Sequence, residues 1–307
     1  MKLRSFLTLL FISLVIILLA VIWFFPSNDD FRVENPFWNG TKNTGSMVPA
    51  SPLVNLSDLP SSPGGSTLIL IPYVDFTQGE LEELQTFVAQ GGTLVLADDY
   101  GFGNRILEYL GLKARFAGQA LLDPLFNYKN KWFPKISHLT PSPITNDIES
   151  LIFNHATCLT DVENDGVLAF SSSFSFLDLN ANQTHDENEP TGPLPVISRH
   201  SLGSGELILV SDPSIFINSM STMESNYEFA QNIAAITTSR LLIDQSHLPP
   251  SNLSQTKNLL AYIRGFFSVP VGAIGLVVAA LTITLIPIFR KKEGNNEKGE
   301  SKETALA

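Results

Sequence analysis

Residues 178–189, DLNANQTHDENE, set oxygen-bearing side chains at alternating positions. Counting from Asp178, positions 1, 3, 5, 9 and 12 are Asp178, Asn180, Asn182, Asp186 and Glu189, and Thr184 at position 7 offers its carbonyl. This is the spacing of a twelve-residue calcium loop, where hard oxygens wrap one cation and the last Glu supplies two of them. Two positions depart from the pattern: Gln183 stands where the sharp turn prefers Gly, and His185 where an apolar residue is usual. The alternative is a polar hairpin tip between the runs FSFL and PLPV. A Ca2+ ion bound here is expected to be structural, because exterior modules of this kind bind weakly and stiffen loops.

A second group of carboxylates follows apolar runs: Asp75, Asp98, Asp99 and Asp212. Ligands of parallel α/β sheets bind beyond the carboxyl ends of the strands. Convergence of Asp98, Asp99 and Asp212 there would create a polar-ligand or cation site, and with a metal a hydrolase. The alternative is that each Asp caps a turn or a following helix.

Other chemistries lack their residues. Gly101-x-Gly103 follows an apolar run as a dinucleotide loop would, but Ile106 replaces the third glycine and two acids precede the turn. The sequence has no Gly-x-Ser-x-Gly elbow and no His-Glu-x-x-His pair. Ser254-x-x-Lys257 matches a Ser–Lys pattern by spelling alone. Lys129-Asn130-Lys131-Trp132-Phe133 reads as a basic–aromatic contact patch or as a loop anchored by its rings. Cys158, the one cysteine, allows no internal disulfide and reads as a small buried apolar residue.

The elements that must position these residues alternate. TLILIPY, residues 67–73, and TLVLA, residues 93–97, are continuous apolar runs suited to strands buried on both faces. Between them Thr77-x-x-Glu80 is a capping box opening a helix over 78–89, closed by Gly91-Gly92. A short helix follows to Leu110, GELILV at 205–210 is a third buried strand, and 227–243 carries Phe229, Ile233 and Ile236 at helical spacing. Residues 39–46, NGTKNTGS, read as loop. The expected fold is α/β, a parallel sheet covered on both faces.

Both ends of the chain are apolar. Residues 6–25 and 265–289 contain no charged residue, and each is long enough to cross a bilayer as a helix. The first is too long for a typical signal h-region and no small-x-small site follows it, so it reads as an uncleaved anchor. Lys2 and Arg4 on one side, and Arg290, Lys291 and Lys292 on the other, place both termini in the cytoplasm. The expected organisation is a cytoplasmic N-terminus at 1–5, a transmembrane helix at 6–25, a linker at 26–34 and an extracytoplasmic α/β domain at 35–245. A connector at 246–264, a second transmembrane helix at 265–289 and a disordered cytoplasmic tail at 290–307 complete it. The net charge of −11 argues against nucleic acid, which needs a basic face. Sequons at Asn39, Asn55, Asn182 and Asn252 fall in the expected exterior segment.

The runs GGTLVLADDYGFGNRILEYLGL, LLDPLFNYKN, DLNANQTHDENEPTGP and GSGELILVSDPSIFIN, followed by Asn226, together resemble the domain of unknown function 4350 across residues 35–242. The resemblance implies a flavodoxin-like sheet similar to class I glutamine amidotransferase domains. Catalytic members of that fold carry a Cys on the elbow after a central strand. The comparable turn here, residues 98–104, has neither Cys nor Ser, so amidotransferase activity is not implied. Family members often lie beside genes for MoxR-type ATPases and von Willebrand-like proteins, which implies membership of an envelope assembly. The sequence thus leads to a non-enzymatic envelope binding or scaffold domain, with a metal-dependent hydrolase as the alternative.

Overall fold

The computed structural model describes residues 3–268 together with 274, 275, 278 and 281. The chain divides into two units, residues Met1–Phe24 with Asn252–Ala307, and residues Phe25–Ser251. In the first, helix α1 (Leu3–Phe24) holds the segment Phe6–Phe24, with a mean hydropathy of 3.0 and none of it buried. It is long and apolar enough to cross a membrane, a test that a signal sequence also passes. Most of the second apolar stretch, and all of 290–307, lie outside the described residues.

The second unit is built on an eight-stranded sheet. Its strands are β1 (Ala50–Leu53), β2 (Thr67–Leu70), β3 (Thr93–Ala97), β4 (His138–Leu139), β5 (Val167–Phe170), β6 (Pro195–Leu202), β7 (Gly205–Val210) and β8 (Leu241–Asp244). The spatial order is β1-β8-β2-β3-β7-β6-β5-β4. The first five in that order are mutually parallel, and β6, β5 and β4 extend the sheet antiparallel from β7.

Alternation along the central strands explains how both faces are covered, because successive side chains point to opposite sides of a sheet. Leu68, Leu70, Leu94, Leu96, Leu207 and Leu209 share one core with Leu81, Leu84, Phe87 and Val88 of helix α3 (Gln78–Ala89). Ile69, Val95, Ile208 and Val210 share the other core with Phe229 and Ile233 of helix α5 (Asn226–Ile236). Leucines therefore face α3 and β-branched residues face α5. The capping box that starts α3 is present in full: Thr77 Oγ1 accepts from Glu80 N at 3.3 Å, and Thr77 N donates to Glu80 Oε2 at 2.7 Å.

Four expectations are corrected. The helix expected over 227–243 ends at Ile236; Thr237, Thr238 and Ser239 break it, and LLID forms β8, buried between β1 and β2. The expected loop 39–46 contains helix α2 (Lys42–Met47), and the connector becomes helix α6 (Asn252–Ser268), which carries Ser254 and Lys257. The expected linker 26–34 belongs to the folded unit: Phe31 is buried, and Arg32 donates to the carbonyls of Gln245 and Leu248. Outside these, residues 151–160 form two short strand pieces, Leu151–Ile152 and Leu159–Thr160, separated by an irregular arm.

Candidate functional site

The carboxyl ends of β2, β3 and β7 lie side by side, and each leads into a turn. The turn after β3 is Asp98-Asp99-Tyr100-Gly101-Phe102-Gly103. The carboxylate of Asp98 accepts from the backbone N–H of Tyr100 at 2.9 Å, Gly101 at 3.1 Å and Gly103 at 2.7 Å. Gly101 has φ of 91°, a left-handed conformation that favours glycine. A Cβ on Gly103 would meet Leu96, Asp98 and Phe116 at 3.1–3.2 Å, so glycine here allows the close approach of this turn and helix α4 (Asn104–Tyr109) to the core. Asp212, fully buried after β7, accepts from Ser214 N at 2.7 Å and from Asn154 N at 2.6 Å. The second bond fastens the irregular arm 153–158 to the sheet edge. Asn226 fixes the base of that arm, pairing through its amide with Ile152 N and O.

Asp98 and Asp212 thus cap turns, as one reading of the sequence has it. Asp75 leaves the group: it is exposed and lies 3.4 Å from Arg105 Nη1. Asp244, which the misread helix hid, ends β8 and binds His247 Nδ1 at 3.0 Å and Ser246 Oγ.

Asp99 is different. It lies beside a cavity of about 240 Å³ whose walls include Phe31, Trp38, Tyr73, Tyr100 and His155, with Asp30, Asn39, Asn154, Ser214 and Ile217. Tyr73, three residues past the end of β2, donates its hydroxyl to Asp99 Oδ1 at 3.3 Å. The Tyr73 ring stacks on Phe31 at 5.4 Å and meets Tyr100 edge-on at 5.9 Å. Trp132 stacks on His155 at 4.5 Å, so the Lys129–Phe133 segment is the ring-anchored loop of its two readings.

Burial, and next the neighbouring Asp98 charge, raise the Asp99 carboxyl to about 7. Burial also raises Asp98 and Asp212 and pushes Tyr73 upward. Desolvation lowers His155, which keeps its ring neutral near pH 7. Burial pushes the Cys158 thiol up to about 12, consistent with an inert core residue. Two depressions of about 490 Å³ lie elsewhere, one along α3 and one beside β6. Neither combines the strand ends with convergent aromatic rings.

Nothing in the sequence marks Phe31, Trp38, Tyr73 or His155 as neighbours. They come from segments far apart in the chain, and only Tyr100 adjoins a singled-out residue.

The calcium-type loop extends from the strand Phe176–Asp178, which pairs antiparallel with Ala120–Leu122. Asp178 and Glu189 are buried at its neck. Asp178 accepts from Asn182 N at 3.1 Å and Gln183 N at 2.9 Å, and Glu189 accepts from Leu179 N and Asp186 N. The side-chain amides of Asn180 and Asn182 donate to Asp186 Oδ2 at 2.7 and 2.8 Å, and Thr184 N donates to Asn182 Oδ1. Gln183 adopts φ of 63°, so the sixth position has the left-handed conformation the motif requires without its glycine. Among the described residues, no three His, Cys, Asp or Glu side chains are grouped closely enough to hold a metal, here or at the sheet edge.

Comparison with known proteins gives a family and distant shape likenesses. No curated protein matches. Among solved structures, the mmIFT52 N-terminal domain is 16% identical with a TM-score of 0.45, covering 61% of this chain and 82% of that one. A β-galactosidase from Bacillus circulans sp. alkalophilus is 16% identical with a TM-score of 0.36, covering 57% of this chain and 23% of that one. A putative ThuA-like protein from Bacteroides uniformis is 10% identical with a TM-score of 0.33, covering 58% of this chain and 92% of that one. At these scores the likenesses carry no inference of substrate or activity. The model for the domain of unknown function DUF4350 matches residues 44–234, and the chain belongs to that family.

Proposed function

We propose that this protein is a membrane-anchored, extracytoplasmic binding or scaffold domain of the cell envelope, and that its ligand engages the cavity at the carboxyl edge of the sheet without catalysis. One observation carries the reading: backbone donors take up the carboxylates of Asp98 and Asp212, while Asp99 faces a cavity walled by rings. Binding sites pair apolar and aromatic walls with a few placed polar groups. A hydrolase using Asp98, Asp99 and Asp212 around a metal, the alternative, needs oxygens that converge free of such donors.

The parallel order around β2 and β3 supports a flavodoxin-like, glutamine amidotransferase-like ancestry, with an elbow that has lost its nucleophile. Helix α1, the apolar composition of 265–289 and the basic residues outside both stretches support two spans with cytoplasmic termini. The partners proposed are the lipid bilayer and envelope proteins encoded alongside a MoxR-type ATPase; the acidic charge disfavours nucleic acid. Calcium held by Asp178, Asn180, Asn182, Thr184, Asp186 and Glu189 would stiffen one loop. An identical melting temperature with calcium and with chelator removes that part.

The test is capture of full-length protein from native membranes, comparing wild type with Asp99→Asn and Tyr100→Ala. A reproducible partner set lost in both variants supports the edge as the binding surface. Equal recovery from all three overturns it. Metal-dependent ester or phosphoester hydrolysis abolished by Asp99→Asn would establish the alternative.

A further inference from the structure

We propose that the carboxyl-edge cavity receives a compact organic cation, an ammonium or guanidinium group held between aromatic faces and the Asp99 carboxylate. The inference rests on the binding reading above and names its ligand class.

Size comes first. At about 240 Å³ the cavity falls below the roughly 300–1,000 Å³ common for drug-sized ligands, so it suits a compact group and not a dinucleotide or an extended sugar chain. Charge comes second. The lining contains the carboxylates of Asp30 and Asp99 and no lysine or arginine. Two nearby donors are already committed: the Asn39 amide donates to Asp30 and to the Asn28 carbonyl, and the Tyr73 hydroxyl donates to Asp99. With no lysine or arginine in the lining, a cation supplies the countercharge that a neutral sugar cannot. Shape comes third. Tyr73 is half-buried, while Tyr100 and Trp38 stand 65% and 69% exposed around the opening. Ring faces attract cations through their quadrupoles, and aromatic enclosures are a recurrent way to hold quaternary ammonium groups.

The electrostatics of Asp99 agree. Burial and the adjacent Asp98 charge hold its carboxyl near 7, so its ionised form lacks stabilisation that a mobile countercharge supplies. Cation affinity should therefore rise as pH rises through about 7 and level off above. Besides Asp98 and Tyr100 on its own turn, the groups facing Asp99 are Tyr73 beyond β2, Asp212 beyond β7, His155 on the irregular arm and Asp30 on the N-terminal segment. Burial holds both tyrosines upward, and desolvation holds His155 downward. The Asp98 and Asp212 carboxylates are occupied by backbone donors, so an Asp99 variant isolates its contribution.

Calorimetric titration of full-length protein in lipid nanodiscs tests this, using choline, N-acetyl-lysinamide, glucose and neohexyl alcohol, the uncharged isostere of choline. At least one cation should bind roughly tenfold or more tightly than the alcohol at about pH 8, and weaken toward about pH 6. Preference for choline points to a small solute, and preference for the lysinamide to a basic protein side chain. Asp99→Asn should remove most of that selectivity and the pH dependence while melting cooperatively, and Tyr100→Ala should weaken binding several-fold. Neutral compounds binding as tightly as the cations, or neither cation binding, overturns the proposal. If the cations fail but Asp99→Asn and Tyr100→Ala still lose membrane partners, only the ligand class falls. If partner capture is also unchanged, the binding reading falls with it.

Discussion

The sheet edge and the 178–189 loop are both rich in carboxylates, yet they hold them in opposite surroundings. In the loop, donors and acceptors lie within twelve residues. Its amides close on Asp186, and its neck is held by Asp178 and Glu189. At the edge, Asp98 and Asp212 come from separate strands, and Asp212 binds an N–H from a third segment. Burial raises the edge carboxyls. A local cluster can be exchanged or filled by an ion with little effect on the rest of the fold, whereas an edge carboxylate fixes where other segments lie.

Substitutions can break that contrast. Asp212→Ala leaves two N–H groups without their acceptor and should cost about 2–4 kcal/mol in thermal or denaturant unfolding. A cost below that of any loop substitution would mean the arm 153–158 is held by something else. Gly101→Ala must adopt a left-handed conformation and should cost about 1–2 kcal/mol, with loss of edge binding if the turn shifts.

A pH series sharpens the contrast further. The folded-state pKa of Asp99 lies above its unfolded value, so its contribution to stability is full below about pH 4 and is lost as pH rises through about 7. Asp99→Asn should therefore flatten stability across that window, read from melting temperature against pH; an unchanged profile would show that Asp99 is solvated as an ordinary carboxylate. The smallest effects belong to the loop. Gln183→Gly relieves a left-handed side chain and should stabilise by about 0.5–1 kcal/mol while tightening any calcium response. Asp186→Ala, without calcium, should cost less than about 1 kcal/mol.

Much of the framework was legible because it is written in short-range pattern. The runs at 67–70, 93–97 and 205–210 are apolar apart from Thr67, Thr93 and Glu206 near their starts, the near-continuous composition of a strand buried on both faces. The capping box at Thr77 and Glu80 needs only three intervening peptide bonds to form. Helix α5 was legible at its start and misread at its end, since LLI fits a helix or a buried strand equally until its neighbours are known. The antiparallel extension was missed because β4 and β5 are short and their pairing joins residues about the 138 and 169 positions.

The sequence alone determined that one end of the chain is a long apolar helix, that the central strands are buried, and that a twelve-residue segment carries oxygen-bearing side chains at alternating positions. Each of these depends on composition or on spacing along a single element. Which carboxylates are occupied, and which ring faces which acid, follows from three-dimensional packing. Phe31, Trp38, Tyr73, Asp99 and His155 meet because parallel strands bring their ends to one edge and because a buried Asp212 draws the irregular arm across it. Such contacts join segments up to 124 residues apart, from Phe31 to His155, and leave no local signature in the chain.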